Sequence, residues 1–185
     1  FLGGAGAVVL AFPLLWEMMA PYQRERIIVG FNPMLDPDGK GMQPLLSKQC
    51  IGNGGFFGIG LMGKGDYEYL PASHTDFIFA TVCEKFGILG GLLVVALLVV
   101  MVVRILMIAR ECGEDFGGLI CVGVGAIIIV QTLENLGMCL AMLPVVGLTL
   151  PFLSCGGSSV LATYILLSLV HSVKSHKPSV QTSLK

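Results

Sequence analysis

The feature that most constrains this chain is an uncharged apolar run over residues 86–103. At 1.5 Å per residue, a helix of that length covers about 27 Å, close to the roughly 30 Å of hydrocarbon in a bilayer. Hydrophobic residues make up 55% of the sequence and charged residues only 12%, which is outside the usual range of soluble globular domains. The chain is therefore predicted to be an all-α integral membrane protein with a single membrane domain over residues 1–185.

Four apolar segments are long enough to be membrane spans, and they are separated by polar turns. They are helix A over residues 2–20, helix B over 75–108, helix C over 116–135 and helix D over 157–173. The long hydrophilic loop between helices A and B, residues 21–74, is too rich in glycine and proline to predict long regular elements.

The segment that precedes helix D, residues 143–156, is apolar but interrupted by Pro144, Gly147 and Pro151. Apolar backbone without regular hydrogen bonding is tolerated at membrane depth only where protein buries it. This pattern predicts an irregular re-entrant segment.

The orientation follows from the charges. Four spans place both termini on one side, and the tail, residues 174–185, carries lysines and no acidic residue, which is typical of the cytoplasmic side. The loop at 21–74, the start of helix B and the broken segment are then all expected on the outer face. The predicted location is a cell membrane, with the tail on its cytoplasmic side and membrane lipids as neighbours.

Other function classes find little support. A net charge of −1 does not suit a protein that binds nucleic acid, which would carry a basic face. The six cysteines are scattered without a C-x-x-C pair, so they are interpreted as small packing residues and not as zinc ligands or disulfides.

The start of helix B carries the strongest candidate for chemistry, Asp76. An ionised aspartate in or near hydrocarbon costs at least about 2.5 kcal/mol, so one retained there is a functional candidate. The alternative is that Asp76 caps the helix, although Thr75 would serve equally well and leave Asp76 free. His74 is either a binding or proton partner or an interfacial hydrogen-bonding residue.

The start of helix D offers a possible anion site formed by Gly156, Gly157, Ser158 and Ser159. Free N–H groups at a helix N-terminus, together with glycines that allow close approach, suit a phosphate or pyrophosphate. Equally, the glycines allow tight packing and Ser158 caps the helix. The residues alone do not separate these alternatives.

Four further residues are weaker candidates. Glu84 lies in helix B, where an ion pair with another helix is the simpler interpretation. Asn135 ends helix C on the outer side and is expected to be hydrated. Lys48 and Lys64 in the loop would attract an acidic head group, or they are simply solvated.

Several stretches, in the same order along nearly the whole chain, resemble one family, the SEDS proteins of bacterial shape, division and sporulation (FtsW, RodA, SpoVE). The stretches are Asp36-Pro37 with Gly41-x-Gln43 and Ser47, Ile51-Gly52-x-Gly54-Gly55, Leu70-Pro71, His74-Thr75-Asp76-Phe77-Ile78-Phe79-Ala80 with Glu84 and Gly87, Asn135-x-Gly137-Met138, and Leu143-Pro144-Val145-x-Gly147-Leu148-x-Leu150-Pro151-Phe152-x-Ser154-x-Gly156-Gly157-Ser158-Ser159. One departure is Lys85, which stands where a second glutamate is usual.

The resemblance implies a peptidoglycan glycosyltransferase that polymerises lipid II, with a class B penicillin-binding protein as its partner. The family's essential aspartate falls on Asp76, which would act as the base or would hold a divalent cation, Mg²⁺ or Mn²⁺. Otherwise no cofactor is implied. His74, Lys48, Lys64 and residues 156–159 would contact the lipid-linked pyrophosphate, with Glu84, Gln43 and Asn135 in support.

The resemblance covers the last four of the family's ten spans, so the chain alone is expected to be inactive unless the remaining spans are supplied. Two other functions stay open. One is a transporter (flippase) of lipid II, since broken spans and intramembrane charge are also features of transporters. The other is a scaffold without catalysis for the penicillin-binding protein.

Overall fold

The computed structural model describes residues 13, 16–113 and 115–175, and this part of the chain contains helices, turns and irregular segments but no strand. The predicted all-α class is therefore confirmed for these residues. The described residues contain five α-helices with defined bounds: α1, Pro21–Phe31; α2, Met42–Gly54; α3, Ile78–Glu111; α4, Asp115–Cys139; and α5, Gly157–Ser175. Helix A and the tail, predicted over 2–20 and 174–185, lie for the most part outside the described residues.

Two of the helices, α3 and α4, are long and apolar enough to cross a membrane. They pack against each other along their length, and α5 packs against α4. α3 matches the predicted helix B but begins three residues later, at Ile78, because residues 71–77 form turns. α5 is not one of the helices that are long and apolar enough to cross a membrane. The count of four spans therefore stays a prediction.

The loop at 21–74 is more regular than predicted, and this expectation was wrong. It contains α1, with 11 residues, and α2, with 13 residues. The sequence pattern is weak, but α2 is stabilised by packing: Pro44, Ser47, Cys50 and Gly54 are buried. The Ser47 hydroxyl also donates to the carbonyl of Cys139 at the end of α4 (2.9 Å). Tertiary contact of this kind is what stabilises most short helices in proteins.

α3 is interrupted at Gly87, whose φ of 71° and ψ of −173° are not helical. The loop after α2 inserts there and replaces the missing helical hydrogen bonds. Ile59 N–H donates to the Glu84 carbonyl (2.9 Å), and Ile88 N–H donates to the Gly55 carbonyl (2.8 Å). A Cβ at Gly87 would lie 2.2 Å from the carbonyl oxygen of Phe56, so only glycine allows this approach.

The close packing of α2 on α3 gives a first prediction. A Cβ on Gly54 would lie 2.0 Å from the backbone oxygen of Cys83, whereas one on Gly52 meets nothing within 4 Å. We expect Gly54→Ala to destabilise the fold by about 1–3 kcal/mol, the usual cost of overpacking. Gly52→Ala, in the same helix, should be neutral or stabilising by up to about 1 kcal/mol.

The measurement is the unfolding midpoint of both variants in detergent micelles. Equal midpoints would contradict the packing of α2 against α3, because the two substitutions add the same methyl group to the same helix.

Candidate functional site

Four successive backbone carbonyls, from residue 73 to residue 76, are each held by a donor from another part of the chain, and we call this arrangement the carbonyl clamp. Ser73 O accepts from the Thr81 hydroxyl (3.0 Å), His74 O from the Cys155 N–H (2.9 Å), Thr75 O from the Ser154 hydroxyl (2.6 Å) and Asp76 O from the Asn135 amide (2.7 Å). The turn before α3 is thus fixed to α3 itself, to α4 and to the end of the broken segment, two residues before α5.

The clamp uses the backbone of Asp76 and leaves its side chain free. The residue is half-buried. The helix N-cap is Phe77, without a side-chain capping bond, so Asp76 does not cap α3. Thr75 does not cap it either, since its hydroxyl donates back to the Ala72 carbonyl (3.3 Å). Among the described residues, no donor or cation contacts the Asp76 carboxylate.

The broken segment passes directly beside this carboxylate. A Cβ built on Gly147 would lie 3.4 Å from Oδ2 of Asp76, and Gly147 has a φ of +80°. The residue type and the positive φ thus keep one side of the carboxylate clear of side chain. The absence of helix between residues 141 and 156 agrees with the predicted irregular segment.

Asn135 does not end helix C, and the expectation that it is hydrated was wrong. α4 continues to Cys139, and Asn135 is completely buried within it. Its amide donates to the carbonyls of both Asp76 and Leu148, each at 2.7 Å. A buried amide must find partners, and this one uses them to join the turn before α3 to the broken segment.

The start of α5 lies next to the turn that contains Asp76. Cys155, two residues before the helix, holds it there because its N–H donates to the His74 carbonyl. Gly157 and Ser158 are exposed and Gly156 is half-buried, so the first turn of the helix is open to solvent. Ser159 is less free, because its hydroxyl shares a hydrogen bond with that of Thr149. A free carboxylate and an open helix N-terminus are therefore neighbours, as the shared face of the two helix starts predicts.

Glu84 has a different role from the predicted ion pair. Its side chain is 1% exposed and accepts hydrogen bonds from the backbone N–H groups of Asp66 (2.9 Å) and Tyr67 (2.8 Å). Charge-assisted bonds of this kind are strong enough to keep a carboxylate buried. Lys85 turns instead to the ring of Tyr67, 4.5 Å from its centroid. Glu84 thus holds the loop against α3 and does not contact Asp76.

The other predicted residues are spread over the loop at 21–74. His74, Lys48 and Lys64 are exposed and, within the described part of the chain, their side chains make no hydrogen bond or ion pair. Gln43 lines a separate cavity of about 450 Å³ between α1 and α2, with Arg26 and Lys40. Their contact with a substrate stays a prediction.

Two residues of the site were missed from the sequence, Gly147 and Ser154. Both lie in the segment that Pro144, Gly147 and Pro151 interrupt, so the break itself was the available signal. The sequence did not indicate what this segment packs against. In the structure it lies against the backbone of residues 75 and 76.

Comparison with known proteins decides the family. A model of the FtsW/RodA/SpoVE family, described as cell cycle protein, matches residues 1–179. The chain belongs to this family. It is 37% identical over 187 residues to the peptidoglycan glycosyltransferase MrdB of Escherichia coli K12, covering 99% of this chain and 50% of that protein. It is also 38% identical over 160 residues to the stage V sporulation protein E of Bacillus subtilis, covering 86% and 44%.

A solved structure also matches this chain. A chain from the structure described as "Structural coordination of polymerization and crosslinking by a peptidoglycan synthase complex" matches with a TM-score of 0.78 and 30% identity. The match covers 97% of this chain and 49% of that one. The present chain therefore spans about half the length of the FtsW/RodA/SpoVE relatives that it matches, and its apolar α3 and α4 agree with a membrane protein.

The metal expected at Asp76 has no complete ligand set here. Within residues 13, 16–113 and 115–175, no group of three or more His, Cys, Asp or Glu side chains is arranged to hold an ion. The divalent cation stays a prediction, and the chemistry below is derived from protein groups.

The cysteines provide a test of exposure at the site. Five of the six are buried, as predicted, but Cys155 is exposed, so its interpretation as a packing residue was wrong. The backbone N–H of Cys155 donates to the His74 carbonyl, and the thiol lies outside the core. In contrast, burial and the nearby Glu84 carboxylate raise the pKa of Cys50 to about 12.

We therefore expect a membrane-impermeant maleimide, added outside intact cells, to modify Cys155 and to leave Cys50 unmodified, since the thiolate is the reactive form. Peptide mass spectrometry reads both sites in one sample. Modification of Cys155 only after the membrane is permeabilised would place this face on the cytoplasmic side and contradict the predicted orientation.

Proposed function

We propose that this chain is the C-terminal part of a peptidoglycan glycosyltransferase that polymerises lipid II at the outer face of the bacterial cytoplasmic membrane. One observation carries the proposal: the Asp76 carboxylate is free of protein partners among the described residues, while its backbone is fixed beside the open N-terminus of α5. The names of the relatives, peptidoglycan glycosyltransferases among them, support the reaction class.

The proposed reaction is the transfer of a glycan from its lipid pyrophosphate to a sugar hydroxyl. Asp76 removes the proton from the acceptor hydroxyl as its oxygen bonds to the anomeric carbon. The bond between that carbon and the pyrophosphate oxygen breaks, and undecaprenyl pyrophosphate leaves with the electron pair. A positioned general base of this kind contributes about 10²–10⁴-fold.

The departing pyrophosphate needs positive charge and hydrogen-bond donors. Gly157 and Ser158 supply free N–H groups at the start of α5, where the helix dipole favours an anion, whereas the Gly156 N–H already donates to the Ser154 carbonyl (2.9 Å) and Gly156 offers only close approach. Ser159 positions this turn through Thr149. We assign Lys48, Lys64 and His74 to weaker, longer-range attraction of the anionic head group, since all three are exposed.

The partner is proposed to be a class B penicillin-binding protein. The matched structure is of a synthase complex that coordinates polymerization with crosslinking, and a transpeptidase is the kind of enzyme that crosslinks. The remaining spans of the full-length protein are expected to complete the lipid-binding cavity. The 185-residue chain alone should therefore not polymerise lipid II.

The irregular segment before α5 favours a second candidate, a transporter of lipid II, because interrupted backbone at membrane depth is a transporter feature. The two functions make different products. A transporter moves lipid II between leaflets and leaves it monomeric, whereas a polymerase consumes it.

The test uses the full-length protein in vesicles that contain fluorescent lipid II. Gel electrophoresis detects glycan polymer. Quenching of the lipid II fluorescence by a membrane-impermeant reductant measures movement of lipid II between leaflets. Polymer that disappears in Asp76→Ala, with binding of the penicillin-binding protein unchanged, is the expected result. Transfer between leaflets without polymer would favour the transporter, and full function of Asp76→Ala would favour a scaffold.

A further inference from the structure

A loop of unusual composition follows α2, at residues 55–62, and we call it the apolar loop. It contains four large hydrophobic side chains that are strongly exposed: Phe56 at 73%, Phe57 at 83%, Leu61 at 69% and Met62 at 100%. Its sequence has no charged residue. Contiguous apolar surface of this kind on a folded protein marks a contact with membrane or with another protein.

The apolar loop is held in place by backbone hydrogen bonds to α3 at the point where that helix is interrupted. Gly60 N–H donates to the Lys85 carbonyl (3.0 Å), next to the bonds of Ile59 and Ile88 described above. Gly58 approaches so closely that a Cβ there would lie 2.2 Å from the Lys85 oxygen. The loop is therefore held at the level of residues 84–88 of α3.

That level is the edge of the hydrocarbon region. The uncharged run of α3 begins after Lys85 and ends before Arg104, and its roughly 27 Å is the length that the hydrocarbon requires. The exposed apolar side chains of α3 begin at the same level, with Phe86, Ile88 and Leu89. The apolar loop thus continues the surface that α3 presents to lipid.

We propose that the apolar loop inserts into the bilayer leaflet nearest Asp76, with Phe56, Phe57, Leu61 and Met62 among the outer ends of the acyl chains. Lys48 and Lys64 flank the uncharged stretch in the sequence and are exposed, so both cations are available to lipid phosphate groups. Lipid is favoured over a protein partner because this surface is continuous with that of α3. The loop thereby anchors α2 to the membrane surface.

The experiment places a nitroxide spin label at Phe57→Cys or at Met62→Cys in a Cys155→Ser background of the full-length protein. Both side chains are exposed, so neither substitution removes core packing. The labelled protein is reconstituted in phosphatidylethanolamine–phosphatidylglycerol vesicles without any partner protein. Power saturation then compares collisions with oxygen, which concentrates in lipid, and with a water-soluble nickel chelate.

We expect the oxygen-to-nickel ratio at both positions to be several-fold higher than at Asp38→Cys, an exposed aqueous control, and to approach that at Leu93→Cys on α3. A ratio equal to that of Asp38→Cys would place the loop in water and overturn the proposal. Exclusion of both reagents would show that protein covers it, which overturns the proposal as well. None of these readings depends on polymerase activity.

Discussion

Asp76→Asn is expected to abolish glycan polymerisation while the protein stays folded. Asparagine has nearly the same shape but cannot take a proton at neutral pH, so the loss should be about 10²–10⁴-fold if Asp76 is the base. Folding should be retained because the carbonyl clamp binds the backbone of this residue and, among the described residues, none forms a hydrogen bond or ion pair with its carboxylate. The measurement is the initial rate of polymer formation from lipid II, beside the unfolding midpoint.

The matched control is Asp38→Asn, which makes the same chemical change at an exposed carboxylate of the outer loop. It should leave the rate unchanged. Asp76→Glu is informative as well, since an extra methylene moves the carboxylate away from the position beside Gly147. A rate near that of the wild type in Asp76→Asn, in a protein with an unchanged midpoint, would remove Asp76 from the chemistry.

The two long apolar helices, α3 and α4, were predictable because hydrocarbon imposes simple rules. A run without charge over residues 86–103 has few alternatives to a spanning helix, and interrupted apolar backbone at 143–156 has few alternatives to burial in protein. The nearness of Asp76 to the start of α5 followed from topology alone. These inferences needed no knowledge of which side chains touch.

What could not be predicted depended on tertiary partners. α2 forms although its sequence is weakly patterned, since Ser47 and Gly54 fit against α4 and α3. The break in α3 was hidden for a related reason. Gly87, Gly90 and Gly91 look alike in the sequence, and only the loop that inserts at Gly87 distinguishes it.

Glu84 shows the same limit for a charged residue. A carboxylate in an apolar helix needs compensation, and a cation on another helix was the predicted partner. The structure supplies backbone N–H groups from a short turn instead, at Asp66 and Tyr67. Backbone donors carry no signal in the sequence, because every residue except proline has one.

Asn135→Leu is expected to have the largest effect on stability, by about 2–5 kcal/mol. Leucine fills a similar volume, so the loss comes from polar groups and not from a cavity. The part-buried carbonyls of Asp76 and Leu148 would each lose their amide donor, at about 1–3 kcal/mol for each unsatisfied group, and Asp76 would keep only the weak thiol donor of Cys139 at 3.9 Å. The unfolding midpoint in detergent measures this loss, and the polymerisation rate below that midpoint measures the effect on the site.

The control for this variant is Thr132→Val, which lies almost one turn earlier on α4. The Thr132 hydroxyl donates to the Ile128 carbonyl of its own helix, so the substitution should change stability by less than about 1 kcal/mol. If Asn135→Leu were as stable as Thr132→Val, the amide would not be fixing the backbone of Asp76. If it were unstable but fully active below its midpoint, the carboxylate would not depend on the clamp for its position. Loss of rate at temperatures where the variant is still folded is the result that connects the buried amide to the chemistry.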